Sequence, residues 1–428
     1  MPPRRRNAAA EPEPEPEAHQ PSDTEYDRTS PGSFEEYDPV PQFFGTTFTT
    51  HRVSPLYIGA GALKTTRLTT LSQRLRDTLV GDVVRGVQVG LEGNDSSVGR
   101  LGSLEKVRFR WVGVDALLGG AEDPEADVSR DLRSDSVGGG ISSTKRALVL
   151  EMSYENGFCS AVLLPSSTEK RPEASDVIQP TNLLNVPGSL AGTTSTDDGH
   201  FLHLPLLLLR MPTPLKVVII DFLSSVFDCR ISPMRLGTKF LAAAWERWIE
   251  DAGLPSEGPL AKDLVLTLGF YIPPAALEDG ENDLPAEGLG IKSIEVVILA
   301  DDLERFAKEG RTPANDTTTK RKAFTQGYEN DARKRKRLAG GKSDEGWGWR
   351  HDGNQQDQQL FLNAVGTYLD KHLALNLFHP GVRITKVSCG GFVLAEGRFR
   401  LHTPPGDEDE VFEPARNLVE SLVASAAS

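Results

Sequence analysis

The tripeptide Glu155-Asn156-Gly157, flanked by the apolar runs 147–154 and 158–164, restricts the fold of this 428-residue chain more than any other feature. Asn-Gly between two strand-like runs marks a tight hairpin, because both residues tolerate the positive φ that such turns favour. A hairpin makes its two strands antiparallel neighbours in one sheet. Further strand-like segments lie at 43–53, 84–91, 107–114, 202–210, 264–272, 293–300, 382–389 and 391–402, with a short extended piece at 229–236. In 107–114, Val107, Phe109 and Trp111 alternate with Arg108 and Arg110, the period of a half-buried strand. Helical spacing appears at 66–80 (Leu68, Leu71, Leu75, Leu79), at 238–251, and in a late stretch holding Leu360, Ala364, Tyr368 and Leu369. A helix at 214–227 has Thr213 as N-cap and Pro214 in its first turn, with Leu215, Val218, Ile219, Phe222 and Val226 on one apolar face. Pro414 reads as the opening of a terminal helix. Consecutive strands with helices interspersed predict an α+β fold with mixed, largely antiparallel sheets and packed helices, not a strict βαβ alternation.

Composition divides the chain. Residues 1–42 form an acidic tail in which Glu11, Glu13, Glu15 and Glu17 alternate with proline. Such a segment is too polar to offset its ordering entropy, so it is expected to be disordered. The stretch 166–199 is rich in Ser, Thr, Pro and Gly and reads as a flexible loop; 311–355 reads as a long basic disordered insertion. The remainder is expected to form an amino-terminal α+β lobe at 43–165 and a carboxy-terminal α+β lobe at 200–428 that carries the insertion. Cys159, Cys229 and Cys389 are sparse and show no CxxC spacing, which suits a reducing compartment. The chain opens on arginines with no apolar stretch behind them, so no secretory signal is expected. The most apolar run, 204–209, is far shorter than the roughly 20 residues a bilayer crossing needs. No membrane association is expected.

Within 311–355, Lys320, Arg321 and Lys322 are followed by a spacer and then by Arg333, Lys334, Arg335, Lys336 and Arg337. Two basic blocks so separated match the bipartite nuclear-import pattern, in which each block fills one acidic pocket of the carrier. The bland alternative is a solvated, self-repelling loop. The formal net charge of the whole chain is −14, so general attraction for a polyphosphate is absent and DNA contact would need a local basic patch.

Catalytic patterns are sparse. Gly341-Lys342-Ser343 imitates the end of a phosphate loop, but Lys336 stands where the first glycine is required. Gly138, Gly139 and Gly140 read as a connector, and His200 and His203 lack a matching ligand pair. Asp301 and Asp302 follow a strand, where they read as caps of the next helix. No catalytic residue, cofactor or metal ligand is expected.

Two stretches carry a family resemblance. One is FFGTTFTTHRVSPLY at 43–57; the other is LLLRMPTPL at 207–215, running on to FLSSVFDCRISPMRL at 222–236. Together they resemble the fungal branch of the centromere protein L family, an inner-kinetochore subunit of the constitutive centromere-associated network. The resemblance implies a non-enzymatic scaffold at the centromere and kinetochore of nuclear chromosomes, acting in chromosome segregation. It implies pairing with a centromere protein N-like subunit through sheet edges in the carboxy-terminal region, contact with other inner-kinetochore subunits, and access to the centromeric nucleosome or its DNA mainly through the partner. A homodimer is the expectation where that partner is absent. The strand region 391–402 is the candidate partner edge, with Phe392, Leu394, Phe399 and Leu401 interleaved with Arg398 and Arg400. Core packing of the same sheet is the competing reading of those apolar residues. Two other functions stay open: a nuclear nucleic-acid-binding factor using Arg108/Arg110 and Arg398/Arg400 as basic strand faces, and, more distantly, a small-molecule enzyme.

Overall fold

The computed structural model describes residues 40–61, 63–84, 99–120, 145–166, 200–255, 257–271, 291–311, 332–342, 344–350, 359–406 and 409–428. The hairpin is its anchor. β4 (Arg146–Tyr154) and β5 (Gly157–Leu164) pair with Tyr154 opposite Gly157, leaving Glu155 and Asn156 as a two-residue turn. Neither turn residue has a positive φ. Gly157 is needed for space instead, since a Cβ there would lie 2.5 Å from Leu101 Cδ2.

Ten strands follow one another across a single antiparallel sheet. The order is β10 (Ser293–Ile298), β9 (Leu264–Phe270), β11 (Val382–Ser388), β12 (Phe392–Ala395), β13 (Arg398–Leu401), β1 (Thr47–Val53), β7 (Leu206–Arg210), β5, β4 and β3 (Leu104–Gly113). An eleventh, β8 (Ile231–Pro233), joins β1 beyond the end of β13. β2 (Leu56–Tyr57) and β6 (Phe201–Leu202) form a separate small pair. β1 is bonded to β13 on one side and β7 on the other, so strands of both expected lobes share this sheet. The α+β expectation is thereby met.

Two cores lie on opposite faces. Along β4, Leu148 and Leu150 belong to one buried cluster and Ala147 and Val149 to the other. α1 (Thr65–Val84) and α3 (Thr213–Phe227) cover the first, through Leu68, Leu71 and Leu75 and through Leu215, Ile219, Leu223 and Phe227. The second lies beneath α4 (Thr238–Ala252), α5 (Ala300–Arg311), α7 (Leu360–Leu373) and α8 (Asp409–Ala427), with the short α2 (Val114–Leu117) at its margin. Strands β4, β5 and β7 are therefore buried on both faces, which explains their unbroken apolar runs.

Several expected elements differ in extent. The strand at 202–210 is broken into β6 and β7 at Pro205, which has no N–H to offer a ladder; its carbonyl accepts from Val53 N–H at 2.9 Å. The strand at 391–402 is a hairpin, turning at Glu396 and Gly397. α1 runs as far as Val84, the first residue of the expected strand 84–91, and 85–91 lies outside the described residues. Pro212, not Thr213, occupies the N-cap of α3. Asp301 and Asp302 lie within the first turn of α5, and Asp263 Oδ1 accepts from Ala300 N–H at 3.0 Å. α8 starts before Pro414, which sits inside it.

Part of the stretch expected to be a disordered insertion is folded. Residues 332–342 and 344–350 are folded, beginning with α6 (Ala332–Leu338) and ending with buried Trp347 and Trp349. Trp347 Nε1 donates to Val382 O at 3.1 Å, and its ring meets Phe378 edge-on at 5.1 Å. Two tryptophans supply the apolar area that a count of glycines and charges overlooks. The tail up to residue 39, the loop 167–199 and Gly138, Gly139 and Gly140 lie outside the described residues.

Candidate partner interface

The six residues proposed for strand pairing fall in the middle of the sheet. β12 is flanked by β11 and β13, and β13 by β12 and β1. Phe392, Leu394, Phe399 and Leu401 are buried, with Phe399 opposite Phe48 across the β13–β1 ladder. Their competing reading as core is the right one. This region cannot receive another strand, because neighbours on both sides take up its backbone groups. Arg398 and Arg400 differ: one is exposed, the other half-buried, and both point away from that core.

The accessible edges lie elsewhere. Among the described residues, β10 pairs with β9 alone and β3 with β4 alone. β3 is partly screened by α1, whose Ser72 Oγ accepts from Phe109 N–H at 2.9 Å. On β10, Ile298 is buried in the core while Ser293, Glu295 and Val297 project the other way and are exposed. Val297 is 55% exposed and the following Leu299 56%. An edge carrying exposed apolar side chains is a template for a further strand. Nothing local in 293–300 distinguishes an edge from an interior strand, so sequence reasoning passed over Val297 and Leu299.

One sheet face continues this edge. α1 and α3 cover only the β7-to-β3 half, and across β10, β9, β11, β12 and β13 the same face carries half-buried or exposed residues: Val297, Thr267, Ser388, Val393 and Arg398. Lys386 reaches Glu295 across it at 3.9 Å. The basic pair Arg108/Arg110 is less available. Arg110 makes a two-pronged contact to Glu151, with Nε to Oε2 and Nη2 to Oε1 both at 2.9 Å.

Of the import residues, Lys320, Arg321 and Lys322 lie outside the described residues. Arg333, Lys336 and Arg337 are exposed on α6, Arg335 is half-buried, and Lys334 lies in the same helix. Gly340 and Gly341, both at positive φ, end the helix, their N–H groups donating to Arg337 O and Lys336 O.

A polar clamp behind the sheet was not anticipated. Glu246 of α4 is buried and receives the N–H groups of Leu362 (2.9 Å) and Phe361 (3.4 Å) at the start of α7, which has no cap of its own side chain. Burial raises its carboxyl to about 7, against the pull of these two donors and of Arg350, while nearby Glu250 adds to the rise. Burial likewise lowers Arg350, to about 10. Its guanidinium lies 3.7 Å from the Phe378 ring centre and bonds Asn363. Among the described residues no three His, Cys, Asp or Glu gather to hold a metal ion, and no helix is long and apolar enough to cross a membrane.

Fold and surface together define an α+β protein built on one long antiparallel sheet which, among the described residues, has an edge strand bonded on one side only and a partly uncovered face. Its sequence matches the family model described as centromere protein L (CENP-L) over residues 42–427, nearly the whole chain. The chain belongs to the centromere protein L family, and its role is a kinetochore role. A search of curated proteins finds no match to it.

Proposed function

We propose that this chain is a non-enzymatic inner-kinetochore scaffold that pairs with a centromere protein N-like subunit and helps link centromeric chromatin to the kinetochore. Family membership supports the setting. The observation that carries the pairing is β10, an edge strand with Val297 and Leu299 exposed beside it. A partner strand would complete its ladder and cover both side chains. Import through the two basic blocks would bring the chain to the nucleus. Chromatin is reached mainly through the partner, in keeping with the −14 net charge.

The test is co-expression with a centromere protein N-like subunit, followed by size exclusion with light scattering. Val297→Lys with Leu299→Lys leaves the β10–β9 ladder intact and should abolish the heterodimer while the free chain melts as the wild type does. Retained pairing would move the interface elsewhere. Direct nucleic-acid binding is the second reading, favoured by Arg398 and by Arg400, whose buried Nε has no hydrogen-bond partner among the described residues. It predicts complexes lost on nuclease treatment.

A further inference from the structure

β1 exchanges one neighbour for another halfway along its length. Thr47, Phe48 and Thr49 pair with β13, whereas His51, Arg52 and Val53 pair with β8. Thr50 stands at the changeover. Its N–H donates to Gly397 O at 3.2 Å, its carbonyl accepts from Met234 N–H at 3.0 Å, and its Oγ1 donates to Met234 O at 3.1 Å. Two strands diverging from a third leave an open concavity of about 340 Å³, lined by His51, Lys216, Met234, Arg235 and Glu396 among others.

The charge at this fork is one-sided. Lys216 lies in the first turn of α3 and Arg235 just past β8, while Arg398 stands opposite Thr49. None of the three has an ion-pair partner among the described residues. Among the described residues, Glu396 is the one carboxylate in the lining. His51 is 5% exposed; its ring is hydrogen-bonded to the Thr49 backbone, and its Nδ1 has no hydrogen-bond partner among the described residues. Burial and then Lys216 hold the imidazole below its ordinary range; burial and then Arg398 do the same to the Lys216 ammonium. Lys216 and Arg398 thus lie close enough to repel each other. Lys216 and Arg235 in the lining with Arg398 beside it, against Glu396, suit the roughly −2 charge of a phosphate monoester better than the single charge of a carboxylate.

The backbone of Thr50 is already spent on Gly397 and Met234, which leaves side chains to read a ligand at the changeover. Pro233 and Met234 add an apolar wall, which suits the stem of a peptide side chain more than a uniformly charged duplex backbone. We propose that this fork binds a phosphoryl group carried on a peptide of a partner, with Lys216 and Arg235 in the lining and Arg398 beside them holding its oxygens, and His51 close enough to report its arrival. The proposal is independent of pairing at β10.

The experiment uses the full chain in two titrations. Inorganic phosphate is followed by the His51 Cε1–H resonance. A labelled phosphoserine peptide, its Ser and Glu counterparts and a short DNA duplex are followed by anisotropy. Phosphate should shift the His51 resonance, and the phosphopeptide should bind about tenfold tighter than either counterpart. Lys216→Gln should weaken that binding about tenfold at an unchanged melting temperature, and Glu396→Gln should tighten it. Arg235→Gln, at an exposed position, should show the same weakening and keeps the test decisive if the Lys216 variant misfolds. An unmoved His51 resonance, equal binding of the Ser or Glu peptide, tighter binding of the duplex, or full binding by Arg235→Gln would overturn the proposal.

Discussion

Replacing Glu246 by Gln should make the protein relatively more stable as pH rises. The wild-type carboxyl is neutral in both folded and unfolded chains below its ordinary value of 4.5, and it resists ionising in the fold until about 7. A raised folded pKa means that its contribution is fully present below 4.5 and is lost as pH rises through about 7. The interval, at about 1.4 kcal/mol per pH unit, amounts to about 3 kcal/mol. Glutamine carries no such dependence, and its carbonyl can still accept from Leu362 N–H, now 2.9 Å from Oε1. Urea unfolding read by tryptophan fluorescence is well placed to follow this, because Trp245 is buried one residue away with its ring 5.3 Å from that of Phe361. The stability of the variant minus that of the wild type should climb by about 3 kcal/mol between pH 4.5 and pH 8. A difference that is flat with pH, or falls, would refute the reasoning.

Three further outcomes are expected. Gly310→Ala puts a Cβ 2.0 Å from the Leu360 carbonyl oxygen, forcing α5 from α7; it should cost about 1–3 kcal/mol in thermal melts, whereas Gly61→Ala, with nothing within 4 Å, should be silent. Arg400→Pro should destabilise the chain by about 1–3 kcal/mol or unfold it, because β13 has bonded neighbours on both sides, while Arg400→Ala should keep a near-native circular dichroism spectrum. Alanines at Arg333, Lys334, Arg335, Lys336 and Arg337 should shift a fluorescent fusion out of the nucleus in cells lacking the partner, and full nuclear retention there would contradict the import reading.

What the sequence revealed depended on how local the governing contact was. The β4–β5 hairpin was legible because both strands and their turn lie within 20 residues, although Gly157 serves packing against Leu101 and not a left-handed turn. β13 misled for a physical reason. Alternation of Phe399 and Leu401 with Arg398 and Arg400 says that one face is covered and the other is not, and this is equally true of an edge strand and of an interior strand under a half-clothed sheet. Its second neighbour comes from Thr47, Phe48 and Thr49, some 350 residues away, and no local pattern announces that pairing. Glu246 was illegible for the same reason. Only the N–H groups of Phe361 and Leu362, distant in sequence, make it a buried cap.

The most direct test of the kinetochore pairing is amide hydrogen exchange of the chain alone and with a centromere protein N-like subunit. Free β10 should exchange quickly along its open side. On complex formation, residues 293–299 should gain strong protection while β13, already bonded on both sides, should change little. Protection at β3 with β10 unchanged, or no protection at either edge, would contradict the account.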